Sequence, residues 1–176
     1  MTNFLASIIV AIITSILTVI GTLFVQKRKN ESAVRKNALY LYLNLRQTKA
    51  DIDKDKKVID NAGENEIFPM SYFSPFDYIA VLSELKDKMA EDEIMTVNSF
   101  YENVKKLDNN KMYFFNVRNL HNNFPSMNPA LPGIYEQQYK DSYSVFEHDL
   151  NVITNSNEYK TDIVEVIAKL KKMKDK

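Results

Sequence analysis

The hydrophobic positions of this chain follow two different patterns. Residues 4–25 form an apolar run that contains no charged residue. As a helix this run would be about 33 Å long, which is enough to cross the hydrocarbon core of a bilayer. After the run, apolar residues recur at every third or fourth position, which is the spacing of amphipathic helices. The pattern therefore predicts one membrane-spanning helix followed by a helical body.

A cleaved signal peptide is the alternative interpretation of the apolar run. Signal peptides carry basic residues before a shorter apolar segment and end at a site of small residues. Here no Lys or Arg precedes the run, the run is too long, and no A-x-A site follows it. We therefore expect residues 1–25 to form an uncleaved transmembrane anchor.

The charges that flank the anchor predict its orientation. Residues 26–36 form a basic link in which Glu31 is the single acidic residue. Because Lys and Arg are enriched on the cytoplasmic side, we expect a single-pass protein of the cell membrane with its N-terminus outside. The link is also expected to contact anionic headgroups, so that the lipid bilayer is a partner. Its basic residues are Lys27, Arg28, Lys29, Arg35 and Lys36.

One face of the predicted anchor carries small residues. Such a face allows two helices to approach closely, so a homo-oligomer is one interpretation. The other interpretation is that Ser and Thr are tolerated in a lone helix, where they bond to the carbonyls of their own backbone. The face consists of Ser7, Ala11, Thr14, Thr18 and Gly21.

Residues 37–176 are predicted to form an all-α cytoplasmic domain, so that a bundle of about five helices follows the anchor. The first helix of the body is expected from about Glu31 to Asp60, and Asp55 interrupts its apolar stripe. Ser74 is predicted to cap the second helix, which has Ile79 on its buried face.

Later signals divide the rest of the body. A break is expected near Ala90, where the three acidic residues at 91–93 favour a new helix start. That third helix is predicted to reach about His121, before a segment with three prolines. Asn155 is predicted to cap the last helix.

Composition excludes several classes of function. The 23 basic residues balance 23 acidic ones, which argues against a nucleic-acid partner bound through a basic surface. The absence of cysteine excludes disulfides and thiol catalysis. Three glycines leave no room for the common glycine-rich nucleotide loops.

The candidates for metal binding are weak. His121 and His148 are the only histidines, and they lie in different predicted helices. Asp51, Asp53 and Asp55 resemble the start of an EF-hand loop, but that loop lacks its required Gly and its final Glu. We therefore expect no metal, no cofactor and no catalytic residue, although an enzyme with an unrecognised site stays open.

Aromatic residues cluster between the first two helices of the body. They favour packing at one end of the bundle, because aromatic side chains dominate buried surfaces. The alternatives are an exposed docking patch for another protein, or contact with the membrane interface. The patch consists of Phe68, Met70, Tyr72, Phe73 and Phe76.

These features favour a non-enzymatic interaction or regulatory module that acts by tethering at the cytoplasmic face of a membrane. Its expected partner is another membrane or cytoplasmic protein. A phage- or toxin-type membrane-acting protein, such as a pore or lysis regulator, and a membrane-anchored enzyme are the alternatives. The abundance of Asn and Lys is compatible with a bacterial or phage gene.

Overall fold

The fold is all-α, as the sequence predicts. The computed structural model describes residues 2–62, 71–72, 77–123 and 132–175, except for the side chains of residues 2–12, 62 and 132. Within these ranges there is no β-strand, and a π-helical turn at Glu158–Asp162 joins the last two of five α-helices. The helices are α1 (Thr2–Ala62), α2 (Tyr78–Leu85), α3 (Glu91–Asn123), α4 (Pro132–Asn155) and α5 (Ile163–Lys174).

The predicted anchor, the basic link and the first helix of the body are one continuous helix. This helix, α1, contains 61 residues and is about 90 Å long at 1.5 Å per residue. Proline, the residue that most strongly ends a helix, first occurs at Pro69. The link at residues 26–36 is therefore a stretch of helix, and it joins the N-terminal run rigidly to the bundle.

The structure bears on the anchor only in part. In the part of the chain that is described in full, no helix has a stretch long and apolar enough to cross a membrane. Residues 4–12 of the predicted anchor lie outside that part, so the finding covers only residues 13–25 of it. In the covered part the large apolar side chains are exposed, with Leu17 at 63% and Leu23 at 60%. The transmembrane anchor therefore stays a prediction.

Side-chain pairs show that α3 runs parallel to the second half of α1. The Tyr101 hydroxyl donates to Asn44 Oδ1 at 2.5 Å, and Lys111 Nζ donates to Asp55 Oδ2 at 2.6 Å. The residue numbers of both helices thus rise in the same direction. The N-terminal end of α3 therefore lies toward the N-terminal end of α1, and the C-terminal end of α3 points away from it.

The last two helices return in the opposite direction. Asn110 of α3 donates to Asp149 of α4 at 2.7 Å, and His121 of α3 lies 2.8 Å from Glu136 of α4, so that α4 runs antiparallel to α3. The Tyr159 hydroxyl, just before α5, donates to the backbone carbonyl of Lys49 at 3.0 Å. Met173 at the other end of α5 reaches the level of Val34. As a result, α5 runs antiparallel to α1 and ends where α1 leaves the bundle.

The bundle is packed around aromatic and aliphatic side chains. Phe114 and Phe146 are fully buried and stack with their ring centroids 6.1 Å apart. The predicted stripes are confirmed for most of α1, α3 and α5, because their members are buried. Ile79 is an exception: its side chain is 64% exposed on α2, so its predicted burial is wrong. The other residues predicted on that buried face, Leu82, Leu85 and Met89, are buried as expected.

The caps of the helices differ in detail from the predicted ones. Asp77 caps α2, because its Oδ1 accepts a hydrogen bond from the Ala80 amide at 3.0 Å. Ser74, the predicted cap, lies outside the described residues. At the start of α3 the predicted acidic turn is confirmed, and Glu93 accepts from the Ala90 amide at 2.6 Å.

The boundary before the last helix is also shifted. Ser156, and not Asn155, accepts a hydrogen bond from a backbone amide there, that of Tyr159 at 3.2 Å. The π-helical turn follows directly, and it turns Tyr159 into the core, where it is 3% exposed.

Candidate functional site

A groove opens where α1 leaves the bundle. Its walls are residues 27–35 of α1, the end of α2 with the turn after it, and the last turn of α5. The groove has a volume of about 1090 Å³, and its floor includes the apolar side chains of Val34 and Met173. Its basic lining residues are Lys27, Arg35, Lys86, Lys88, Lys169 and Lys172.

The predicted basic link forms one wall of this groove and continues around α1. All five of its basic side chains are exposed. Two of them extend along the helix over aromatic rings. The Arg28 guanidinium lies 5.4 Å from the Phe24 ring centroid, and Lys36 Nζ lies 5.5 Å from that of Tyr40. Such contacts leave the charged groups accessible to solvent.

The structure adds basic residues that are distant in sequence. Lys86 and Lys88 follow α2, and Lys172 belongs to the last turn of α5; all three are exposed. From the sequence, the lysines of residues 171–176 suit the dipole at the C-terminal end of the last helix and an exposed tail. Their position beside the link follows from the antiparallel direction of α5, which spacing along the chain does not specify.

Acidic residues moderate the charge of the groove. Glu31, Glu84 and Asp87 line it together with the six basic residues. Lys169 forms an ion pair with Glu93 at the start of α3. The groove nevertheless keeps a net positive charge, since basic residues outnumber acidic ones in its lining.

A second polar cluster is buried inside the bundle, between α1, α3 and residues 71–72. Asp55 Oδ2 accepts hydrogen bonds from the Tyr72 hydroxyl at 2.5 Å and from Lys111 Nζ at 2.6 Å. Asp55, Lys111 and Tyr72 are 5%, 2% and 4% exposed. Burial, followed by the adjacent charge of Asp55, raises the pKa of the Tyr72 hydroxyl far above its ordinary value. The cluster therefore holds a neutral phenol against an ion pair.

Further hydrogen bonds fix the backbone beside this cluster. The Tyr72 amide donates to Asp108 at 2.8 Å, and the Ser71 hydroxyl donates to the same carboxylate at 2.6 Å. Lys111 Nζ also lies 4.1 Å from the Tyr72 ring centroid. Together these contacts clamp residues 71–72 between α1 and α3. The signal for this cluster in the sequence was Asp55, the acidic residue that interrupted an apolar stripe.

The predicted aromatic patch lies mostly outside the described residues. Of its members only Tyr72 is described, and its side chain is buried. Tyr72 thus packs into the bundle and is not part of an exposed surface. The members outside the described residues are Phe68, Met70, Phe73 and Phe76.

The small-residue face of α1 is described only in its second half. Ser7 and Ala11 lie outside the described side chains. The Thr18 hydroxyl donates to the backbone carbonyl of Thr14 at 2.8 Å, as expected for hydroxyls tolerated in a lone helix. A methyl group placed on Gly21 would have no neighbouring atom within 4 Å, so the space beside this residue is open.

The histidines and the EF-hand-like aspartates do not converge. His121 Nε2 lies 2.8 Å from Glu136 Oε2, whereas His148 is exposed on α4. Among the described residues no group of His, Asp and Glu could hold a metal ion. The three aspartates bind different side chains. Asp51 accepts from Gln47, and Asp53 accepts from Lys49 and Tyr159. Asp55 belongs to the buried cluster.

Comparisons with known proteins give no match: no family model, no curated protein and no solved structure resembles the chain significantly.

Proposed function

We propose that this protein is a membrane-tethered helical module that acts through binding, without catalysis. In this proposal residues 4–25 span the cell membrane with the N-terminus outside, and the bundle lies in the cytoplasm. The observation that carries the proposal is the continuity of α1, which bears an uncharged apolar run at one end and the buried stripe of the bundle at the other.

A continuous helix gives the tether a defined mechanical character. A flexible linker would let the bundle explore a large volume, whereas a helix fixes its distance from the membrane. Confinement beside the bilayer raises the effective concentration of the bundle for partners in the same membrane. The proposed partner is therefore another membrane protein, or a cytoplasmic protein that works at the membrane surface.

The interior of the bundle favours binding over catalysis. Its centre is filled by large side chains such as Phe100, Phe114 and Phe146, each at most 2% exposed. The buried ion pair of Asp55 and Lys111 is engaged within the protein and has little access to solvent. A catalytic group has to reach its substrate, and these polar groups are positioned to hold helices and a loop together.

Fractionation of cells that express the full chain tests the anchor. After alkaline carbonate washing, the intact chain is expected in the membrane pellet. A reporter fused after Lys176 is expected to be active only when it is of the kind that works in the cytoplasm. Release of the intact chain into the supernatant would contradict the anchor, and the opposite reporter result would reverse the orientation.

Proximity labelling tests the role as a binding module. A labelling enzyme fused after Lys176 is expected to mark a specific membrane-associated protein. The matched control is the same fusion on a variant that carries Ile16→Lys and Leu17→Lys, which removes the tether and leaves the bundle intact. Identical labelling by both fusions would mean that tethering has no part in the choice of partner.

A further inference from the structure

We infer that the groove between α1, α2 and α5 is a binding surface for the headgroups of anionic phospholipids in the bilayer that holds α1. This inference rests on the proposed membrane anchor and deepens it. It assigns a role to the lysines that follow α2 and to those of α5, which lie far in sequence from the basic link.

The height of the groove above the bilayer follows from α1. If the hydrocarbon core ends near Val25, Lys27 lies about 3 Å and Arg35 about 15 Å beyond that boundary, at 1.5 Å per residue. The headgroup layer is about 5–7 Å thick on each side of the bilayer. The near end of the groove thus lies within the headgroups, and its far end lies within about one Debye length, 8–10 Å, of their surface.

The topology of the bundle brings the other two walls to the same height. The Tyr78 ring at the start of α2 stacks on Tyr101, which bonds to Asn44 of α1, whereas Ser83 near the end of α2 lines the groove with residues 27–35. Both α2 and α5 therefore run toward the N-terminal end of α1. Lys86, Lys88 and Lys172 are exposed there, and their charges add to that of the link. Three separate parts of the chain therefore present ammonium groups to one region of the membrane surface.

The chemistry of the groove matches a phospholipid better than a purely ionic ligand. Ammonium and guanidinium groups bind phosphate oxygens, while Val34 and Met173 provide an apolar floor. Glu31, Glu84 and Asp87 lower the total charge, so that attraction depends on the density of anionic lipid. Each lysine near an anionic surface is expected to contribute about a fivefold change in affinity.

The absence of cysteine allows a site-specific test on the full chain. Ser83 lines the groove and is exposed, so Ser83→Cys provides a position for a fluorophore. The labelled protein is reconstituted into vesicles of phosphatidylcholine, or of phosphatidylcholine with about a third phosphatidylglycerol, both containing a headgroup quencher. We expect stronger quenching in the anionic vesicles, because attraction to the anionic headgroups tilts α1 toward its groove side and brings the label closer to the surface.

The charge variant removes Lys86, Lys88 and Lys172 by substitution with Gln. We expect it to lose the extra quenching. The ratio of bundles with the groove on the headgroups to bundles with the groove away from them should fall by about 100-fold. The matched control variant carries Lys57→Gln and Lys105→Gln together with Lys160→Gln. It changes the net charge equally, at exposed positions outside the groove lining, and it is expected to quench as the parent does.

The outcomes separate this inference from the proposed function. Equal quenching in both lipids, or equal loss in both triple variants, would overturn the inference while carbonate-resistant insertion still supports the anchor. Failure of the chain to insert would overturn both. If the three lysines served only to stabilise the ends of their helices, the charge variant would lower the melting temperature and leave the lipid dependence unchanged, which also contradicts the inference.

Discussion

The two halves of α1 use similar apolar residues in opposite ways. Between residues 13 and 25 large apolar side chains are exposed around the helix, for example Ile16 at 53% and Leu17 at 63%. Between residues 38 and 59 an apolar stripe is buried, with Leu41 and Leu45 at 0%. Both halves are helical, so backbone propensity does not distinguish them.

The difference shows which surroundings each half requires. In the second half α5, α2 and α4 pack against α1, and its apolar stripe is buried. In the first half no described part of the protein covers the side chains of residues 13–25, and an exposed apolar surface of this kind marks contact with a membrane or a partner. This exposed run is the part of α1 that the proposed anchor places in the bilayer, and the basic residues at 27–36 follow it directly.

The largest effect is expected from charges placed in the first half. Ile16→Lys combined with Leu17→Lys should move the chain from the membrane pellet to the supernatant after carbonate washing. Each lysine near the middle of a transmembrane helix costs about 2.5–3.5 kcal/mol of insertion free energy. Leu43→Lys is the control, because Leu43 is 49% exposed in the second half of α1 and should leave the chain in the pellet. Pelleting of the double variant would contradict the anchor.

A smaller but substantial effect is expected in the second half, at the buried ion pair. Lys111→Met leaves Asp55 charged and buried without its cation, which should lower the free energy of unfolding by about 3–5 kcal/mol. The measurement is thermal unfolding of the detergent-solubilised full chain, followed by near-ultraviolet circular dichroism of its tyrosines.

Two controls sharpen this result. Adding Asp55→Leu to the variant should recover part of the stability, because no charge then remains buried, although the buried Tyr72 hydroxyl loses its acceptor. Lys56→Met breaks a pair with Asp60 on the surface and should cost at most about 1 kcal/mol. An equal loss for the buried and the surface pair would show that Asp55 is solvated in the folded protein.

Alkaline pH should destabilise the bundle through its buried tyrosines. Burial is the main cause that raises the pKa of the Tyr101 hydroxyl above its ordinary value near 10. Above pH 10 the unfolded chain loses this proton while the folded chain keeps it, so stability falls as pH rises. The loss is about 1.4 kcal/mol per pH unit for one such group.

Tyr101→Phe should therefore weaken the fall of stability between about pH 10 and pH 11 by about 1 kcal/mol. Tyr113→Phe is the control, since Tyr113 is 58% exposed and should leave the slope unchanged. Denaturant unfolding at several pH values measures both slopes. The same slope for both variants would mean that Tyr101 ionises as freely in the folded state as in the unfolded state.

The smallest effect is expected at the cap of α2. Asp77→Ala removes the acceptor for the Ala80 amide and should cost about 1 kcal/mol. Amide hydrogen exchange in α2 should rise in this variant, and Asp77→Asn should keep most of the protection. Unchanged exchange after Asp77→Ala would show that packing of Leu82 and Leu85 alone holds the helix.

The sequence predicts the fold class because helical periodicity is a local property of each segment. The stripes of α1 and α3 identify Leu41, Leu45, Val97 and Leu107 as core residues, and all four are fully buried. Exact caps are less predictable, because several residues in a row are able to cap. At the start of α2 it is the carboxylate of Asp77 that accepts the amide.

The groove and the buried cluster depend on long-range geometry, which a single sequence does not specify. The basic link was predicted, since its residues are adjacent in the chain. Lys86, Lys88 and Lys172 lie beside the link only because of the directions in which α2 and α5 run, and these directions cannot be obtained from the spacing of residues in the sequence. In the sequence Asp55 stands out only because it interrupts an apolar stripe. Its partner Lys111 lies on another helix, so the ion pair could not be predicted.

The antiparallel return of α5 has a consequence for the order of synthesis. The buried stripe of α1 leaves the ribosome before α5, which covers part of it. Until α5 has been synthesised, that part of the stripe stays uncovered, and a transiently exposed apolar surface favours aggregation. Completion of the bundle thus waits for the synthesis of α5, and a truncated product that lacks α5 would be exposed to proteolysis.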